Sequence, residues 1–239
     1  MHDMDLFLHR YAPATTQMAF FEIAYPDLVT YLYQRKHDLA IRWESPEMPK
    51  QIETGKRLEE KLQQLLPLTH LNNKTLISST QSAWCVYIPN NIHGGDVHSQ
   101  PDFISEELGI RRVTVVMVKD IPKNQPGSMQ FVYTDGTQAK WIPSDDPNRG
   151  HHETPGRVVL AHHESRWEFE TWGEPFPFEE IERYAAKRIK DRLTPDMIGR
   201  YCSHFGIDLF NPDFYTGEAC ILETYAHPDA ERVWQYPNL

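Results

Sequence analysis

The chain has 239 residues, 40% hydrophobic and 12% aromatic, with a formal net charge of −10. That is enough apolar material to bury a core and too much for a disordered chain. The acidic balance argues against nucleic-acid binding, which depends on neutralising phosphates, and no apolar run reaches the ~18 residues of a membrane span.

Met1-His2-Asp3-Met4-Asp5 lacks the basic-then-apolar order of a signal peptide. Cys85, Cys202 and Cys220 are widely spaced with no Cys-x-x-Cys, and read as reduced thiols of a cytoplasmic protein. Residues 1–24 hold Leu6, Phe7, Leu8, Met18, Phe20, Phe21 and Ile23, which predicts short strand or coil packed on the body. Pro26-Asp27 opens a helix to about Arg42, and Ser45 to Pro49 breaks it. A second helix is expected to Leu66, with Ile52, Leu58, Leu62 and Leu65 on one face, pairing antiparallel with the first.

From Lys74 the period changes to two. Thr75–Ser79, Ala83–Ile88, Arg112–Asp120, Met129–Thr134 and Ala139–Ile142 read as strands. Around Val113 both parities are apolar, so that strand belongs in the middle of a sheet covered on both faces. Asp135-Gly136 is a hairpin signal. Arg157–Ala161 and Arg166–Trp172 form two more strands around a polar break at His162–Ser165, and the second alternates Trp167, Phe169 and Thr171 against Arg166, Glu168 and Glu170.

Phe178, Ile181, Ala185, Ile189 and Leu193 recur at helical spacing, acids first and bases last, which predicts a helix. Thr194-Pro195 caps another, ended by Gly206, and a last strand is expected at Ala219–Thr224. No repeat or linker divides the chain. The fold expected is one α+β domain over residues 1–239: a helical pair at about 26–66, a mainly antiparallel sheet of five to seven strands at about 74–172, and two helices at about 178–205.

No phosphate-binding glycine loop, dinucleotide fingerprint, nucleophile elbow or His-Glu-x-x-His is present. Twelve histidines remain, six of them in the pairs His93/His98, His151/His152 and His162/His163. His93, Asp96 and His98, on a Gly-softened loop, could hold a divalent metal with one of the two His-His-Glu triplets, through His151 and His152 or through His163. The triplets lie at opposite ends of a strand, up to ~20 Å apart, so both serve one metal only if a loop folds back. Against this, loop histidines are usually solvated, and adjacent histidines on a strand point to opposite faces.

Glu168 and Glu170 share a strand face about 7 Å apart, within the range of paired-carboxylate catalysis, though alternating Glu is ordinarily a solvated face. Cys85 and Cys202 read as buried core rather than nucleophiles. Arg183, Lys187 and Lys190 would share a basic helix stripe, and basic charge at that helix end is expected on dipole grounds alone. Trp172, Phe176, Glu168 and Glu170, around an aromatic-proline corner, are the candidate contacts for a protein partner.

The reading this favours is an acidic cytosolic protein-binding module, in one concrete form a bacterial neutralising or immunity-type factor for a basic protein, with no cofactor. The alternative is a metal-dependent hydrolase using the His/Asp loop, and a third is a small-ligand domain using the aromatic sheet face.

Overall fold

The computed structural model describes residues 3–92, 99–118, 127–137, 140–142, 151–153, 156–163 and 166–238, with backbone only at 99, 140–142 and 151–153. The strands are β1 (Gln17–Glu22), β2 (Lys50–Glu53), β3 (Leu68–Thr69), β4 (Lys74–Ser79), β5 (Trp84–Pro89), β6 (Arg112–Val118) and β7 (Ser128–Thr134). They continue with β8 (Lys140–Ile142), β9 (His151–Glu153), β10 (Gly156–His163), β11 (Trp167–Trp172), β12 (Ala219–Glu223) and β13 (Arg232–Val233). The helices are α1 (Tyr25–Arg42), α2 (Leu58–Leu65), α3 (Ser99–Leu108) and α4 (Pro195–Ser203), with shorter 3-10 and π turns between elements.

Nine strands form one antiparallel sheet in the order β11-β10-β7-β6-β1-β5-β4-β12-β2. The α+β class holds, and the sheet is larger than the five to seven strands expected. Two of its strands lie outside those expected in the sheet. β1, in the stretch expected as short strand or coil packed on the body, lies in the middle of the sheet between β5 and β6; β2, where a helix was expected to begin, is an edge strand paired to β12. β6 is buried along its whole length, as its two apolar parities require.

α1 and α2 do not pair. Leu28, Val29 and Leu32 of α1 pack on one face of the sheet with Ala19, Phe21, Ile77 and Tyr87, joined by Ile104 of α3. Leu58, Leu62 and Leu65 of α2 pack on the opposite face with Phe20, Val86, Val115 and Phe131, joined by Ile198 and Tyr201 of α4. The sheet is therefore the middle of three layers. Fully buried Lys61 of α2 ties that side together, donating to Ser78 Oγ at 2.9 Å and to the Gly217 carbonyl at 2.8 Å.

Three local readings are corrected. Residues 178–193 form no α-helix, only the 3-10 turns Ile181–Ala185 and Ile189–Asp191. Side-chain contacts pin this segment instead: Glu180 N–H donates to Tyr201 Oη at 3.0 Å, and Phe178 stacks on His204 at 4.2 Å. Asp135-Gly136 closes no hairpin between β7 and β8, because β7 pairs with β6 and β10 while β8 pairs with β9. Ser99–Leu108, where no helix was expected, is α3. By contrast α4 starts at its Thr194 cap, whose Oγ1 accepts from Met197 N–H, and Gly206 takes the left-handed φ of +73° expected of a terminator.

Candidate functional site

The β10–β11 hairpin forms one end of the sheet, and its register sorts the candidate residues. His162 stands opposite Glu168, Leu160 opposite Glu170 and Val158 opposite Trp172. These six share a parity and face the α1 side, in line with Ser128, Gln130 and Val132 on β7. His163, Ala161 and Val159 face the α2 side with Trp167, Phe169 and Thr171.

On the α1 side the three titratable groups converge. Ligand atoms of His162, Glu168 and Glu170 all lie within 4.8 Å of one another. His162 Nε2 is 3.7 Å from Glu170 Oε1, too far for a hydrogen bond, and it is shielded from water with no hydrogen-bond partner. The His162 side chain is 20% exposed; the carboxylates are 39% and 40% exposed. Arg166 Nε donates to Glu168 Oε1 at 2.9 Å and holds that carboxyl below the usual range. Trp172, 49% exposed, completes the row at the far end of β11.

The metal set is not brought together by the described residues. His163 turns to the opposite face from Glu168 and Glu170, where its ring lies 5.9 Å from that of Trp167. His93, Asp96 and His98 lie outside the described residues. His151 and His152 lie on β9, of which only the backbone is described. Within the protein-contact set, Glu168, Glu170 and Trp172 share a face, but Phe176 does not join them. It packs among Tyr133, Phe178 and Phe205, with ring centroids 5.0–5.5 Å apart. His162 completes the cluster the sequence reading had not assembled. The signal for it was parity: two residues at a strand end that look like turn are still strand.

Other polar groups are spent on structure. Buried Arg157 and Glu179 form a two-point ion pair at 2.8 and 2.6 Å. The basic stripe Arg183, Lys187 and Lys190 does not exist as such, because its helix does not form; Lys190 instead sits over the Trp167 ring at 4.8 Å. Cys85, Cys202 and Cys220 are buried, and burial pushes the Cys85 thiol up to about 12, which removes it as a nucleophile at neutral pH. An open groove beside α1 is lined by Tyr31, Arg35, Arg42 and Glu107, and Arg35 and Glu107 neutralise each other at 3.2 Å. No described helix is long and apolar enough to cross a membrane. Comparison of the chain with family models, curated proteins and solved structures gives no match.

Proposed function

We propose that this chain is a protein-binding module that takes a basic partner along β11. One observation carries the reading: Glu168, Glu170 and Trp172 stand in a row on an edge strand, and among the described residues no strand pairs with its outer side. An open edge offers backbone donors and acceptors to an added strand, and alternate side chains supply selectivity. Two carboxylates and an indole face suit Lys or Arg, through ion pairs and cation–π contact. The charge of −10 adds long-range attraction for a basic protein. A neutralising factor is one form such a module takes. The metal-dependent hydrolase built on the His93 loop is carried by no observation among the described residues.

The test is affinity capture with the whole chain, identification of what is retained, and calorimetry on the purified pair. A basic protein whose affinity falls at least about tenfold in both Glu168→Gln/Glu170→Gln and Trp172→Ala supports the reading, since charged pairs and buried aromatics dominate such contacts. A partner whose affinity ignores these substitutions, or an acidic one, overturns it.

A further inference from the structure

We infer that His162, Glu168 and Glu170 form a binding site for one first-row divalent cation of the Zn²⁺ or Mn²⁺ class. Three facts carry this. The donors are one imidazole nitrogen and two carboxylates, a set suited to such ions and poorly suited to Mg²⁺ or Ca²⁺, which prefer oxygen alone. Their atoms already lie within 4.8 Å of one another on three residues locked in register by the β10–β11 ladder. His162 Nε2 has lost its water and gained no partner, yet faces the Glu170 carboxylate at 3.7 Å. A buried polar atom without a partner is uncommon in native proteins and calls for an explanation, an ion among them.

Ligands about 2.1 Å from a shared ion sit roughly 3.5 Å apart in tetrahedral geometry. The cluster must therefore contract by about 1 Å, which half-exposed Glu side chains achieve by rotation while His162 stays fixed. Three protein ligands leave a position open to water or an incoming group. Arg166 is the competitor, because its guanidinium occupies Glu168 Oε1 at 2.9 Å. The ion would share Glu168 and Glu170 with the proposed partner contact, but its binding is measured on the chain alone, with no partner present, so failure of one reading is distinguishable from failure of the other.

The experiment is titration of untagged, chelator-dialysed protein with Zn²⁺ by calorimetry and with Mn²⁺ by electron paramagnetic resonance. One equivalent should bind in the wild type. Affinity should fall by about tenfold or more in His162→Gln and Glu170→Gln, since even outer-shell changes cost that much. Arg166→Ala should bind roughly two- to fivefold tighter, the fold-change that release of an exposed ion pair allows. Glu170 and Arg166 are exposed enough for their variants to carry the test if His162→Gln fails to fold. No binding up to millimolar ion overturns the inference. So does binding that survives Glu170→Gln, which would place the ion on other histidines. Affinity unchanged in Glu168→Gln likewise overturns it, by removing Glu168 from the site.

Discussion

Arg157 and Glu179 close the sheet onto the segment that crosses back over its α2 face. Arg157 also donates to the carbonyls of Trp172 (3.1 Å) and Gly173 (2.8 Å), while Glu179 accepts from Phe176 N–H (3.0 Å) and Tyr184 Oη (2.8 Å). Removing one partner strands the other as a buried charge, so Glu179→Ala is expected to destabilise by about 3–5 kcal/mol in urea denaturation. The double variant Glu179→Ala/Arg157→Met should recover part of that loss, because the cost lies mainly in the uncompensated ion. The pair also sets a pH limit. Burial alone would raise the Glu179 carboxyl, but the hydrogen bonds from Arg157, Phe176 and Tyr184 outweigh it, and the folded pKa is lowered from 4.5. The unfolded chain therefore binds a proton first as pH falls. The stabilisation is complete above about pH 4.5 and is lost as pH drops through the lower folded value. Denaturation midpoints between pH 6 and 3 should fall steeply in the wild type and less steeply in Glu179→Gln. Neither residue was legible in this role. Arg157 read as the end of an apolar strand, and Glu179 as an acid in the first turn of a helix. The pair is 22 positions apart and visible only once the crossover is folded.

α1, α4, β4 to β7 and β10–β11 all fall close to their expected bounds, β5 and β6 on runs of β-forming residues and the others on their period. β1, α3 and the segment after Phe178 were less legible. Met18, Ala19, Phe20 and Phe21 of β1 are all buried, so a strand covered on both faces looks the same as apolar coil. α3 carries few apolar residues, and Ile104 is the one deeply buried in the core. Residues 178–193 have a true apolar stripe that tertiary contacts overrode, spreading Phe178, Tyr184 and Ile189 along the core as extended turns. Three of the site's four residues were readable from alternation, Glu168, Glu170 and Trp172, whereas His162 hid in what looked like a turn. At α4 a local rule should fail in the same way. Helix propensity favours Gly199→Ala by roughly 1 kcal/mol. A Cβ there would come 2.9 Å from Phe210 Cε2, and Phe210 is a buried ring that cannot swing aside cheaply. The variant is expected to lose roughly 1–2 kcal/mol net, as overpacking typically costs. A gain in melting temperature would show the α4–Phe210 contact to be loose.

At the scale of the molecule, the order of strands decides how the chain comes apart. β1, from the first 22 residues, joins β5 to β6 and so links the two halves of the sheet. β12, from residues 219–223, lies between β4 and β2. The core on the α2 face runs from Leu6 to Tyr236, whose hydroxyl donates to the Leu62 carbonyl at 2.7 Å. β1 cannot leave without opening the middle of the sheet, and β12 cannot leave without freeing β2 and uncovering β4. Chains of this length often unfold in steps, but here the central strand β1 holds β5 to β6, and one core on the α2 face spans strands on both sides of it. Calorimetry is therefore expected to give one transition, with calorimetric and van't Hoff enthalpies equal within error. Truncation after Glu218 sharpens the test. It removes Cys220, Ile221 and Leu222 from both faces of the sheet and leaves β2 with nothing to pair with. The cooperative melt should then disappear, not shift by a few degrees. Two resolved transitions in the full chain, or a sharp melt in the truncated one, would mean that the sheet holds two separately stable halves and that β1 joins them only weakly.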